Sequence, residues 1–294
     1  MADKEQQRTA ADEAAAASLA KEDAKPKEAG RRLNYGWVMV GAAFLTMVIA
    51  YGSSTYGFGV FFKPLLQEFG WNRGVTSIAF SVYMVCYGTS GIFMGMLTDR
   101  YGPRLTMALG GLLIGTGLLL LSRITALWQL YLYYGLFVGV AMGAFFGPLS
   151  TTVSRWFDKR RGLALGILMA GTGSGGFIVP PLTERLISSH GWRTTYLVTG
   201  ILCWGIILGS SLLMKQHPKA AAVGRHGSRP KGPWSLKEAL STRTFWTMFA
   251  MYLPWGIAYG VILVHLIAYA TASGLSAAAA AGLVSILGLA SVFG

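Results

Sequence analysis

Hydroxyl groups are the hydrogen-bonding chemistry this sequence places inside apolar surroundings. Tyr51, Ser54, Thr55 and Tyr56 fall within six residues, and Tyr83 and Tyr87 stand four apart, on one face of a helix. Such groups donate and accept hydrogen bonds without titrating near neutral pH. Their chemistry is recognition of a polar solute, not bond making. Ionised groups keep to the ends of the apolar stretches, at Lys63, Asp99, Glu184 and Arg185. The histidines His190, His217, His226 and His265 show no metal-ligand spacing, and the apolar interior holds no carboxylate pair. A polytopic membrane enzyme needs such convergent groups, so no enzyme, cofactor or metal is expected. His265 lies in an apolar stretch, 20 residues after Phe245. That is about 30 Å along a helix, which places it near one end, able to gate or titrate there. Cys86 and Cys203 also lie in apolar stretches and read as small packed residues. The run 171–176, Gly-Thr-Gly-Ser-Gly-Gly, lacks the Lys-Ser/Thr of a phosphate cradle and reads as close helix packing.

The elements that position these groups must be membrane-spanning helices. The chain is 53% hydrophobic and 13% charged, where a soluble domain carries about 25% charged residues. Uncharged runs of about 20 residues match the roughly 30 Å of bilayer hydrocarbon. Eight spans are expected, at 36–62, 75–97, 105–121, 127–152, 163–182, 194–214, 245–270 and 277–294. The fold class is an all-α membrane protein. Residues 1–33 read as a disordered polar tail with no signal peptide, 34–214 as a six-helix bundle, 215–243 as a basic linker broken by Gly and Pro, and 244–294 as the start of a second bundle. Trp234 and the following residues could lie as a short amphipathic turn on the membrane surface. The last apolar run has no charged or aromatic flank, and about four further spans are expected to follow it.

The net charge of +13 is a topology signal rather than a nucleic-acid footprint, because the bases sit in short loops between spans. One side collects Arg100, Arg104, Arg155, Lys159, Arg160, Arg161, Lys215 and the linker bases. The other has Lys63, Arg73, Arg123, Arg185 and Arg193. The bias puts the N-terminus in the cytoplasm of a multi-pass protein of the plasma or inner membrane, which is expected to be monomeric.

A repeat organises the first six spans. Gly95–Arg104 reads G-M-L-T-D-R-Y-G-P-R and is echoed by P-L-T-E-R-L-I-S-S-H-G-W-R at 181–193. Upstream, Phe61-Phe62-Lys63-Pro64 is echoed by Phe145-Phe146-Gly147-Pro148; 35 residues separate Pro64 from Asp99, and 36 separate Pro148 from Glu184. Three crossings lie between the copies, so they are inverted. A 3+3 inverted repeat is the build of a secondary transporter.

Gly95, Asp99, Arg100, Gly102 and Arg104 resemble the signature loop G-x-L-x-D-R-x-G-x-R of the major facilitator superfamily. Residues 156–166, W-F-D-K-R-R-G-L-A-L-G, are similar to the W-F-x-x-R-R-x-L-A-x-G segment of the monocarboxylate transporters and the bacterial oxalate/formate exchangers, as are Tyr35–Val38 and 59–63. The resemblance implies the major facilitator fold and alternating-access transport of a small organic anion, coupled to a proton or a counter-anion. A drug/proton antiporter of the same fold is the alternative. The resemblance implies that Asp99 pairs at the inner gate with Arg155, Lys159 or Arg160, that Arg161 is the family's cation at the inner end of span five, and that Tyr83 faces substrate. Gly95 is expected to allow close helix approach. Tyr56 and Ser291 stand where animal monocarboxylate transporters carry a substrate-pairing lysine and a proton-coupling aspartate, so that proton mechanism does not carry over. The same alignment implies a substrate-binding arginine directly after Gly294.

Overall fold

The computed structural model describes residues 35–157, 159–215 and 240–293. The expected tail, the linker interior with Trp234 and the side chain of Ser291 lie outside the described residues. Those described form helices and short connections, with no strand among them. Helix α1 is Tyr35–Phe69, α2 Arg73–Tyr101, α3 Pro103–Leu121 and α4 Leu127–Trp156. A continuous segment, Arg161–Leu213, is broken by non-helical backbone at Gly191, giving α5 (161–190) and α6 (192–213). Helices α7, Arg243–Ala272, and α8, Ala277–Phe293, follow.

Local chemistry sets several of these ends. The Asn72 side chain accepts from the Gly74 amide (2.8 Å) and caps α2. Pro103, which has no amide hydrogen to leave unpaired, opens α3. Thr242 caps α7 by accepting from the Phe245 amide. Two expected boundaries move. Helix α1 continues seven residues past Phe62, through Pro64, and ends only at the left-handed Gly70 (φ 64°). The expected gap between spans five and six is helical too, because polar residues such as Glu184 and His190 do not stop a helix that emerges from the membrane. Only the backbone at Gly191 does.

The inverted repeat is visible in the backbone. Gly102 has φ 88° and ψ 166°; Gly191 has φ 78° and ψ 161°. This region is essentially closed to residues with a Cβ. In each copy the threonine four residues later returns its hydroxyl to the glycine carbonyl, Thr106 to Gly102 (3.3 Å) and Thr195 to Gly191 (2.8 Å). The first helix of each copy also contains a π-helical stretch, Gly52–Tyr56 in α1 and Tyr131–Val138 in α4.

Small residues let these helices approach closely, as membrane packing requires. A Cβ on Gly175 would lie 2.5 Å from the Val48 carbonyl oxygen of α1, and one on Gly288 of α8 would lie 2.6 Å from the Gly176 backbone of α5. The glycine run 171–176 is thus an interface on two sides. Gly95 differs from expectation: its Cβ position meets nothing within 4 Å among the described residues. Its stretch of α2 presents Ile92 and Phe93 outward.

Candidate functional site

The π-helical turn of α1 lies at mid-length, where one widened turn fans its side chains to almost every neighbouring helix. Ser53 Oγ lies 3.4 Å from Cys203 Sγ of α6, and Ser54 Oγ lies 3.3 Å from Met142 Sδ of α4. Thr55 Oγ1 and the Tyr83 hydroxyl of α2 share a hydrogen bond of 2.7 Å. The Tyr56 ring packs on Gly176 of α5, and its hydroxyl accepts from Tyr259 of α7 at 2.8 Å. One turn earlier, the Tyr51 and Tyr87 hydroxyls meet at 2.7 Å.

Burial separates two roles within this group. Tyr83 and Tyr134 are sealed. Tyr134 stacks between Phe58 (4.5 Å) and Tyr83 (5.0 Å) and donates to the Ser54 carbonyl at 3.1 Å. Ser54 and Thr55 are also buried. These groups hold α1, α2 and α4 in register. Tyr51, Tyr87 and Tyr259 are half-buried, and they present hydroxyls between α1, α2 and α7. Apart from tyrosine, Trp192 and Cys203, the buried polar side chains described are all serine or threonine, and no buried side-chain nitrogen or oxygen is unpartnered among the described residues. The arrangement offers neutral donors that a bound acceptor could engage by breaking one tyrosine pair, with no fixed charge to trap it.

One ion pair lies at each end of the bundle. At the end that carries the α2–α3 turn, Arg155 Nη2 donates to Asp99 Oδ1 at 3.2 Å, joining the end of α4 to the end of α2. Arg100 lies over the Tyr101 ring. Lys159, Arg160 and Arg104 are exposed there and form no ion pair among the described residues. At the opposite end, Arg193 Nη2 donates to Glu68 Oε1 (2.8 Å) while Nη1 reaches the carbonyls of Ser122 and Ile124 (3.3 and 3.4 Å). Trp192 Nε1 donates to the other Glu68 oxygen. This cluster ties α1, the α3–α4 connection and α6 together.

Two expected path residues lie away from the tyrosines. Arg161 is the exposed first residue of α5, 15 residues before Gly176. That is about 22 Å along the helix. His265 is exposed on α7, edge-on to Phe62 with ring centroids 6.2 Å apart. Sequence reasoning did not single out Glu68, Trp192, Tyr134 or Tyr259. The Gly-x-Arg-x-Thr spacing shared by 102–106 and 191–195 could have flagged the two turns.

Helices of this length and composition, packed around an uncharged polar interior, define a multi-pass membrane protein. Residues 42–294 match the Major Facilitator Superfamily, and the chain belongs to that superfamily. It is 31% identical over 273 residues to an uncharacterized transporter of Saccharomyces cerevisiae, ESBP6, covering 86% of this chain and 39% of that protein. It is 28% identical to monocarboxylate transporter 13 of Rattus norvegicus, over 88% of this chain and 59% of the relative. It is 30% identical to monocarboxylate transporter 2 of Mesocricetus auratus, over 71% and 43%. The chain thus spans less than two thirds of the length of these relatives. Among solved structures, a bacterial homolog of the human lysosomal transporter Spinster superposes with a TM-score of 0.60 at 18% identity, covering 87% of this chain and 59% of that one. A POT family transporter gives 0.52 at 23%, covering 87% and 50%. Both likenesses are of fold.

Proposed function

We propose that this protein is a secondary active transporter of a small monocarboxylate or related organic anion, working by alternating access with its N-terminus in the cytoplasm. The observation that carries the reading is the pair of tyrosine contacts at mid-bundle, Tyr51–Tyr87 and Tyr56–Tyr259. A carboxylate accepts hydrogen bonds from such hydroxyls and replaces the acceptor each donor loses. Relatives named monocarboxylate transporters support the same solute class. Tyr259 belongs to α7 and Tyr56 to α1, so a solute that separates them changes how these helices are held. Binding then favours one arrangement over the other, which is the only way a ligand shifts such an equilibrium. Asp99 and Arg155 act as the cytoplasmic gate.

Uptake of labelled formate, lactate, pyruvate and oxalate by proteoliposomes carrying the complete encoded protein tests the reading, with and without a pH gradient or trans anion. Saturable uptake of at least one is expected. Tyr51→Phe removes one hydrogen bond of about 0.5–1.5 kcal/mol and should raise KM about 2- to 10-fold. No carboxylate uptake, together with export of lipophilic cations, would replace this reading with a drug antiporter of the same fold.

A further inference from the structure

At the bundle end opposite Asp99, α1, the α1–α2 connection, the first residue of α2 and α7 border an open recess of about 330 Å³. Lys63, Gln67, Trp71, Arg73 and Thr271 contribute its polar and aromatic wall. The volume is at the small end of the range for small-molecule sites. Two of the lining residues are cations and none is an acid.

The acids nearby do not neutralise them. Neither Lys63 nor Arg73 forms an ion pair among the described residues. Glu68, between them in sequence, is committed to Arg193 and Trp192. Glu184 of α5 acts on Lys63 electrostatically but stands beyond ion-pair distance. Bases are scarcer at this end of the bundle than at the other, yet two of them, Lys63 and Arg73, line one recess. Two like charges facing one concavity raise the local concentration of anions. Trp71, stacked on Phe69 at 4.3 Å, holds an apolar ring against the same space.

The recess also shares its helices with the central hydroxyls. Lys63 is seven residues along α1 from Tyr56, about 10 Å, and Thr271 is twelve along α7 from Tyr259, about 18 Å. We propose that the recess is an anion-capture site at the mouth of the path. The carboxylate of a small organic anion sits between Lys63 and Arg73, its carbon skeleton rests against Trp71, and the solute passes from there toward Tyr56 and Tyr259. The solute class rests on the function proposed above; the anion selectivity of the recess does not.

The experiment reads the recess without requiring transport. In the complete protein with Cys86, Cys203 and every other native cysteine replaced by Ser, Thr271→Cys is labelled in membrane vesicles by a sulfonate-bearing or a trimethylammonium-bearing methanethiosulfonate. Rates are normalised to those with a free thiol. At low salt the anionic reagent should react about tenfold faster than the cationic one. Lys63→Gln/Arg73→Gln should abolish that ratio, while Lys63→Arg/Arg73→Lys keeps it. Millimolar pyruvate or benzoate should slow labelling, and chloride at the same ionic strength should not. Equal rates for the two reagents, or no protection by either carboxylate, would overturn the capture site. Uptake of labelled pyruvate is measured in parallel without Thr271→Cys. If the wild type transports no carboxylate, the proposed function fails, while the labelling ratio and its protection still decide the recess. If it does transport, Lys63→Gln/Arg73→Gln should raise KM; an unchanged KM would also count against capture.

Discussion

Asp99 and Arg155 are each about half exposed, at 54% and 45%. An exposed pair contributes only about 0–1 kcal/mol to stability. Its consequence lies in linking α2 to α4 in one arrangement, so removing it should alter turnover rather than folding. Asp99→Asn is expected to cripple transport while membrane insertion and thermal stability stay near wild type. The reversed pair Asp99→Arg/Arg155→Asp should recover part of the flux. Wild-type flux in Asp99→Asn would remove the gate from the mechanism. The signature around Asp99 was readable in the sequence because a short local pattern encodes it. Glu68 and Tyr134 were not, because their partners lie 125 and 80 residues away. Nothing in local spacing marks which acid meets which base across a bundle.

At the scale of elements, the existence of the helices followed from apolar runs of bilayer length, and their ends did not. Pro64 lies inside α1 and the polar stretch before Gly191 lies inside α5. Hydropathy locates the membrane, whereas backbone geometry terminates the helix. The π-helical turns were equally invisible, since one extra residue per turn leaves a continuous apolar run unchanged. The paired turns are where local geometry is most exacting. Gly191 has open space where a Cβ would go, so Gly191→Ala isolates backbone strain. It should cost about 1–3 kcal/mol, seen as a lower unfolding temperature in detergent, and Gly102→Ala should do the same. An unchanged unfolding temperature in both would mean the turns relax freely. Gly288→Ala makes a different demand. Its Cβ would need to retreat from 2.6 Å to at least 3.4 Å from the α5 backbone for ordinary contact. Backbone cannot yield as a side chain can, so α5 and α8 must separate by about 0.8 Å. Transport should fall several-fold with expression preserved; undiminished transport would show that the two helices do not move as a tight pair.

For the whole molecule, the two ends of the bundle differ in charge, and that difference predicts an orientation in the bilayer. Among the described residues, Arg100, Arg104, Arg155, Lys159, Arg160, Arg161, Lys215 and Arg243 gather at the Asp99 end. Lys63, Arg73, Arg123, Arg185 and Arg193 gather at the other, where Glu68 already neutralises Arg193. Bases retained on the cytoplasmic side set topology during insertion, and acids count for little. The Asp99 end should therefore face the cytoplasm, and the Lys63–Arg73 recess should open to the outside. Lys159, just before α5, and His190, its last residue, are both exposed, at opposite ends of a 30-residue helix about 45 Å long. With Cys86, Cys203 and every other cysteine of the complete protein replaced by Ser, Lys159→Cys should resist a membrane-impermeant maleimide applied to intact cells and react once the membrane is opened. His190→Cys should react in intact cells. The reverse pattern would invert the molecule, place the Asp99–Arg155 pair at the outer mouth and make the recess an inward-facing site.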